Sequence, residues 1–423
     1  MTDFTTDLVR FLFAFAFYYP LFMAYLWMTG GLYYYFHYER RDPPPDQPPP
    51  LPEYPPVSVL VPCHNEGENV NETVAALQAL DYPEFEILLI NDGSTDDTGE
   101  RIEQLAAGDA RIRVVHLARN QGKAVGLNTA AAMASHDYFL CIDGDSLVDP
   151  HCLKWMMRHL LNSPRVGVVT GNPRIRTRST LLGRIQVGEF SSIIGLIKRA
   201  QRTYGKVFTV SGVMACFRRS ALQDVGYWNP DALTEDIDIS WRLEVRHWDV
   251  RFEPNALCWI LMPETLRGLW RQRLRWAMGG SQVLLKQAPV LTRLRHRRLW
   301  PIYFEYFTSV AWAYTMAAIA LLFLIGLVVE LPEPLQVHTL APGWNGLVIG
   351  TTCLLQFGVS MFLDSRYERG YGRHYYWMIW YPLAYWMLNV CTSVVALPKV
   401  LLRGKRRATW KSPDRGIRPS STH

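Results

Sequence analysis

At 423 residues the chain has room for one large polar domain and several membrane segments. Although 49% of it is hydrophobic, the mean hydropathy is near zero, so the apolar residues must be gathered into blocks. The net charge of +6 is modest and clusters beside those blocks, which suits anionic lipid headgroups and argues against nucleic acid as a partner. The cysteines show no CxxC pairing or metal-ligand spacing, and Cys63, Cys141, Cys152 and Cys216 sit in the polar centre, as expected of a reduced cytoplasmic domain.

Residues 1–41 read as an N-terminal transmembrane helix. Phe11 to Phe36 carry no charge, are too long for a signal-peptide core, and end at Glu39-Arg40-Arg41. That basic pair places the next domain in the cytoplasm by the positive-inside rule. Residues 42–56 form a stiff proline-rich linker, with nine prolines between Pro43 and Pro56.

From 57 to 261 short β-branched runs alternate with amphipathic stretches. Val57–Pro62, Phe85–Ile90, Ile112–His116 and Tyr138–Ile142 predict strands; Glu68–Leu80, Thr95–Ala107 and Lys123–Ala134 predict helices. This order predicts an α/β domain with a mainly parallel sheet, in which ligands bind beyond the carboxyl ends of strands. Leu181–Lys198 reads as an interfacial helix, with core packing as the alternative.

Residues 262–300 read as interfacial helices, because Trp270 and Trp276 are interleaved with Arg267, Arg271, Arg273 and Arg275. Residues 301–402 read as a transmembrane region of about three segments, from the apolar blocks Ile302–Val329 (broken only by Glu305), Asn345–Leu363 and Tyr376–Pro398. Residues 403–423 form a basic tail. Glu330–Gly343 has two Glu and no Lys or Arg and suits the outside; the loop bearing Arg366, Arg369 and Arg373 suits the inside. Four full spans would put the tail outside, whereas Arg403, Lys405, Arg406, Arg407 and Lys411 favour the inside, so either the tail is external or one block is re-entrant.

Four polar clusters succeed the predicted strands and helices in turn. Asn91-Asp92-Gly93-Ser94 puts an acceptor carboxylate where a uracil N–H could donate to it, although the same residues make surface turns. Asp143-Gly144-Asp145 offers two hard oxygen donors to Mg²⁺ or Mn²⁺ bridged to a diphosphate. Thr234-Glu235-Asp236 supplies a candidate general base, Asp236, or else a helix cap. Gln272-Arg273-Leu274-Arg275-Trp276 sets an amide, a guanidinium and an indole on one helical turn, fit to grip a diphosphate and stack on a sugar; the alternative is an amphipathic surface helix.

Asp92, Asp143-x-Asp145, Thr234-Glu235-Asp236 and Gln272-x-x-Arg275-Trp276 together resemble the D, DxD, TED, QxxRW series of processive family-2 glycosyltransferases. The longer runs Thr170 to Arg202, Phe208–Gly212, Ala256–Ala277 and Ser412–Ile417 resemble the bacterial poly-β-1,6-N-acetyl-D-glucosamine synthases in particular. The resemblance implies a GT-A-type domain joined to transmembrane and interfacial helices, in the bacterial inner membrane with its catalytic domain cytoplasmic. It implies UDP-N-acetylglucosamine as donor and an inverting, processive extension of a β-1,6-linked biofilm polymer, passed across the membrane between the C-terminal spans.

By the same resemblance Asp92 and Lys123 would contact uridine with Glu66 nearby, and Asp143 and Asp145 would hold nucleotide and metal. Asp236 would act as base; Gln272 and Arg275 would bind the diphosphate; Ser211, Gly212, Glu235 and Trp276 would face the acceptor. A small two-span membrane partner subunit and cyclic di-GMP activation are also implied. About 25 residues lie beyond the last predicted span, against the roughly 100 of a PilZ-type receptor domain, so any cyclic di-GMP site would need the partner's help. The alternatives are another processive β-glycan synthase of hyaluronan or chitin type, a polyprenyl-phosphate glycosyltransferase, and a membrane receptor or transporter with a nucleotide-binding domain.

Overall fold

A computed structural model describes residues 2–337, 344–404 and 407–409. Lys405, Arg406, Lys411, the Ser412–Ile417 run and residues 338–343 of the acidic connection lie outside the described residues.

The chain opens with helix α1 (Thr2–Tyr34), which continues through a π turn at Tyr35–Glu39. The proline-rich stretch after it is fastened to the polar domain rather than free. Trp155 Nε1 donates to the Pro45 carbonyl at 2.8 Å and Tyr82 Oη to that of Pro55 at 2.7 Å.

The polar domain is built as β1 (Val57–Cys63), α2 (Val70–Gln78), β2 (Phe85–Asp92), α3 (Thr98–Gly108), β3 (Ile112–Leu117), α4 (Lys123–Met133) and β4 (Tyr138–Ile142). It continues through β5 (Leu147–Val148), α5 (Cys152–Asn162), β6 (Val166–Ile175), α6 (Leu181–Phe190), α7 (Lys198–Tyr204), β7 (Met214–Arg218), α8 (Arg219–Val225), α9 (Glu235–Val245) and β8 (Asp249–Ile260). The eight strands form one sheet in the order β3-β2-β1-β4-β7-β6-β8-β5. β1 to β4 pair in parallel and β6 lies parallel to β8, while β7 runs antiparallel to both its neighbours. Every residue of β1 and β6 is buried, the mark of strands covered on both faces. Two apolar clusters fill those faces, one under α2 and α5, the other under α4, α8 and α9.

Strand order reverses at β1, which has β2 on one side and β4 on the other. A crevice opens beyond the carboxyl ends of strands at such a switch point. Asp143-Gly144-Asp145 leaves β4 there, and His64-Asn65-Glu66 leaves β1 beside it.

Helix α3 begins three residues later than its periodicity predicts. Asn65 Oδ1 takes the Thr95 amide at 2.8 Å and Asp96 Oδ1 the Thr98 amide at 3.1 Å, so the intervening turn is satisfied by side chains.

Four helices are long and apolar enough to cross a membrane: Thr6–Glu39, Leu294–Gly326, Trp344–Asp364 and Trp386–Arg403. The last three contain α11 (Trp300–Gly326), α12 (Trp344–Asp364) and α13 (Trp386–Arg403), reached through α10 (Leu266–Gln287). The Tyr376–Pro398 block is not one span. Its first ten residues run through a 3₁₀ segment (Tyr371–Ile379) and a π turn (Tyr381–Tyr385), and regular helix begins only at Trp386. Pro382 contributes no amide to that turn.

The interfacial reading of Leu181–Lys198 is also revised. Helix α6, the π segment Ser191–Ile197 and α7 form one continuous rod, buried on nearly every side against α1, α12 and the sheet. It is core, for a reason hydropathy hides: buried charges meet on it. Arg199 makes a two-pronged pair with Glu39 at the end of α1 (2.6 and 2.9 Å) and reaches Asp364 at the end of α12 (3.0 Å). Arg174 on β6 holds the other Asp364 oxygen at 2.7 Å. These pairs lock the ends of two membrane-length helices to the polar domain.

Candidate active site

Asp92 ends β2 and is fully buried. Gln121 N–H donates to its Oδ1 at 2.7 Å and Gly122 N–H to its Oδ2 at 2.8 Å. Gly93 turns the chain with φ +60, and Asn91 Oδ1 takes the Ser94 amide at 2.9 Å. Asn91 therefore makes the turn while Asp92 serves the crevice. Behind it, His64 Nδ1 donates to the Asp92 carbonyl at 2.9 Å and Asn120 Nδ2 donates to His64 Nε2 at 3.0 Å. His64 was not singled out in the sequence; its place directly after β1 was the available signal.

Lys123 spans the crevice. Its backbone begins α4 next to Asp92, but its ammonium reaches across the crevice to Asp143 Oδ1 (2.6 Å), Glu235 Oε1 (2.9 Å) and the Gly212 carbonyl (2.9 Å). Burial opposes its charge, yet the two carboxylates win and hold its pKa well above the ordinary lysine range. Asp143 is pushed up by burial and by Asp145, against the pull of Lys123. Glu235 meets the same burial but is carried below its usual range by Lys123. One cation thus ties together the strand-end and helix-start carboxylates.

Glu66 is buried beside this group. A Cβ on Gly144 would come within 3.0 Å of Glu66 Cγ, so glycine between the two aspartates leaves room for it. Asn69 Nδ2 donates to Glu66 Oε2 at 3.1 Å, and Thr73 Oγ1 donates to the Gly144 carbonyl at 3.0 Å. Glu66 therefore borders the Asp143-Asp145 loop.

Helix α9 begins at Glu235. Thr234 occupies the cap position without a capping bond from its side chain, so the capping alternative fails for its hydroxyl. Asp236 is half-buried; Gly212 N–H donates to its Oδ2 at 3.1 Å and the Ile237 amide to its Oδ1 at 2.9 Å. Burial, then the neighbouring Glu235 charge, raises its pKa to about 6. Ser211, one residue before Gly212, is fixed by its amide to Thr170 Oγ1 at 2.7 Å.

Helix α10 closes the crevice, capped by Thr265 Oγ1 accepting from Gly268 N–H at 3.1 Å. It lies so close to α9 that a Cβ on Gly279 would stand 1.9 Å from Thr234 Oγ1. Glycine at that position admits the approach. Arg275 is exposed and its charge bears on both Glu235 and Asp236, while Gln272 is half-buried with Nε2 3.7 Å from Met262 Sδ. Trp276 packs between Phe190 (6.2 Å between ring centroids) and the Arg273 guanidinium (4.3 Å).

The structure thus gathers Asp143, Glu235, Lys123, Gly212 and Asp236 through direct contacts, with Glu66, Asp145 and Ser211 bordering them. Asp92 stands at the end of β2; Gln272, Arg275 and Trp276 lie along α10. Lys198 is a further residue that no motif or spacing marked out. It is buried with no hydrogen-bond partner for its ammonium, and burial lowers its pKa to about 7 despite the charge of Asp236 nearby.

Residues 55–279 match the family described as glycosyltransferase like family 2. A poly-β-1,6-N-acetyl-D-glucosamine synthase of Staphylococcus epidermidis is 38% identical over 407 residues, covering 96% of this chain and 98% of its own. One from Staphylococcus aureus strain COL is 40% identical over 410 residues, with the same coverage. Among solved structures, a mannosyltransferase of Pyrobaculum calidifontis, in complex with GDP-mannose and Mn²⁺, superposes with a TM-score of 0.65 at 19% identity, covering 94% of this chain and 99% of its own. That likeness is one of fold.

Proposed function

This chain belongs to the glycosyltransferase-like family 2, and from that premise we propose that it polymerises N-acetylglucosamine from UDP-N-acetylglucosamine into a β-1,6-linked exopolysaccharide. The observation that carries the reading is the convergence on Lys123 of Asp143 from the end of β4 and Glu235 from the start of α9, with Asp236 beside them.

In this reading Asp92 takes the uracil N–H through the lone pairs its two backbone donors leave free, and those donors fix its plane. Asp143 and Asp145 suit Mg²⁺ or Mn²⁺: both are hard oxygen donors, and no group of three or more His, Cys, Asp or Glu among the described residues could cage an ion without the diphosphate. Bound there, the cation would neutralise charge growing on the leaving diphosphate. Lys123, Gln272 and Arg275 add fixed positive charge and donors on the same side.

Asp236 accepts the proton of the acceptor's primary 6-hydroxyl as that oxygen attacks the anomeric carbon and UDP departs from the opposite face. One displacement by one base converts an α-linked donor into a β-linked product. The Gly212 amide keeps Asp236 aimed, and Trp276 stacks on the acceptor sugar with Ser211, Gly212 and Glu235 around it.

The four membrane-length helices fit a membrane-bound synthase. The bacterial inner membrane, a cytoplasmic catalytic domain, export between the spans, the two-span partner subunit and activation by cyclic di-GMP with that partner complete the proposal. Turnover of UDP-N-acetylglucosamine by the reconstituted chain, with and without the partner, and then linkage analysis of the product, tests it. Incorporation of glucuronate, or β-1,4 linkages alone, would overturn the product assignment. Calorimetry of the purified pair showing no cyclic di-GMP binding would remove that element.

A further inference from the structure

Behind Trp276 lies an ion pair that the chemistry above leaves unused. Arg273 Nη2 meets Glu189 Oε2 at 2.5 Å, and Tyr385 Oη donates to the same oxygen at 2.8 Å while accepting from Arg273 Nη2 at 3.2 Å. The three come from α10, the end of α6 and the turn before α13. Glu189 is 1% exposed and Arg273 4%. Yet Glu189 Oε1, Arg273 Nε and Arg273 Nη1 have no hydrogen-bond partner.

A charge pair this deep offsets its desolvation only when the remaining lone pairs and N–H groups are also satisfied. An apolar trio of the same shape would stabilise the fold at least as well. The unfilled positions therefore call for a ligand.

Their surroundings say which kind. On one side the Arg273 guanidinium lies against Trp276, the proposed acceptor platform. On the other, Glu189 lines a cavity of about 290 Å³ bordered by α1, α11, α12, α13 and the α6 rod. That cavity pairs aromatic faces, including Trp312 stacked on Trp386 at 4.9 Å, with the amides of Gln356 and Asn389. Apolar faces edged by amides suit a neutral sugar chain, whose rings offer C–H faces and whose rims offer hydroxyls and acetamides.

We infer that Glu189 and Arg273 form a sugar-binding pair that grips the unit behind the acceptor end, where the glycan passes from Trp276 into the membrane cavity. A sugar hydroxyl donates to Glu189 Oε1, and the free Arg273 N–H groups donate to a hydroxyl or acetamide oxygen. Tyr385 positions the carboxylate. The inference rests on the proposed polymerase reading and adds to it a hold on the product between additions.

The test uses the full chain in nanodiscs, with β-1,6-linked N-acetylglucosamine trimer as probe and monosaccharide as control, read by tryptophan fluorescence and by product length. Glu189→Gln and Arg273→Lys should each weaken trimer binding by about 10- to 100-fold, the cost of losing a hydrogen bond to a charged group. They should also shorten the product, with KM for UDP-N-acetylglucosamine within about twofold of the parent. A merely structural pair would lower melting temperature and yield without that split. If Glu189→Gln does not fold, Glu189→Asp decides, since it keeps the charge but withdraws the oxygens. Trimer affinity and product length equal to the parent's in the folded variants would overturn the pair. A parent chain that binds no trimer and turns over no UDP-N-acetylglucosamine would instead remove the polymerase reading, and this inference with it.

Discussion

The two halves of the crevice are built on opposite principles. Around Asp92, where the nucleotide is proposed to bind, both carboxylate oxygens take backbone amides, and His64 uses both ring nitrogens. Towards the proposed acceptor platform and the membrane helices, charged groups are buried with bonding capacity to spare, at Lys198, Glu189 and Arg273. The contrast matches the task. A nucleotide is the same molecule in every cycle, so its cradle can be finished in advance by parallel strands and their turns. A growing chain enters, moves on by one unit and re-enters, so its site must hold donors and acceptors that the protein itself leaves open.

Asp236→Asn tests that division most severely. If Asp236 is the base proposed above, the amide should remove polymer formation by about 10³-fold or more, towards the upper reach of general base catalysis. UDP binding by calorimetry should stay within about twofold, because Asp92 and its amides are untouched. An Asp236→Asn chain that still elongates would show that the base lies elsewhere.

Next in size is the lock between the halves and the membrane. Arg199→Met leaves Glu39 and Asp364 buried without their shared cation, a change that costs about 3–5 kcal/mol. A large fall in melting temperature in detergent is the expected result, with turnover lost as the fold is lost. An unchanged melting temperature would mean that the bundle and the domain hold together without this pair, through apolar packing and the remaining Arg174–Asp364 contact.

On the finished side the effects should be smaller and confined to the donor. Asp92→Asn turns an N–H towards a backbone N–H, replacing one of two good bonds with a repulsive contact. A rise of about tenfold in KM for the UDP-sugar, with kcat within about twofold, is expected. A kcat loss instead would place Asp92 in the chemistry.

The same contrast explains what the sequence could tell. Val57–Pro62, Phe85–Ile90 and Tyr138–Ile142 are continuous apolar runs, and the polar residues just past them are forced into the crevice by topology. Asp92, Asp143 and Asp145 were therefore legible in place. So were four apolar stretches, because lipid imposes length and composition together. The side-chain path of Lys123 was not legible: its position beside Asp92 fixes the backbone, but only the folded crevice shows that Asp143 and Glu235 lie closer to its ammonium. Leu181–Lys198 misled for a related reason. Its apolar positions read as a lipid-facing stripe, whereas Arg199 and its partners Glu39 and Asp364 are 160 and 165 residues apart in the chain and no local period reports them. The break in Tyr376–Pro398 was likewise masked, since aromatic residues serve a membrane helix and a packed 3₁₀ turn equally well.

The subtlest effect is also the most specific, because activity and stability should move in opposite directions. Asp236 has a pKa raised to about 6 by burial and then by Glu235. A base works only when ionised, so the polymerisation rate should fall about tenfold per pH unit below 6 and stand near half its plateau at pH 6. Stability takes the other sign. A carboxyl whose folded pKa exceeds its unfolded value of about 3.9 favours the folded state when protonated, and that contribution is lost as pH rises through 6. Between about pH 4 and 6 acid should therefore slow the enzyme while the contribution of Asp236 to folding grows. Glu235→Gln removes the neighbouring negative charge and should move the acid limb of the rate profile to lower pH. An acid limb that stays in place in Glu235→Gln would assign it to another group, and the carboxylates around Lys123 would then have to be re-ranked as bases.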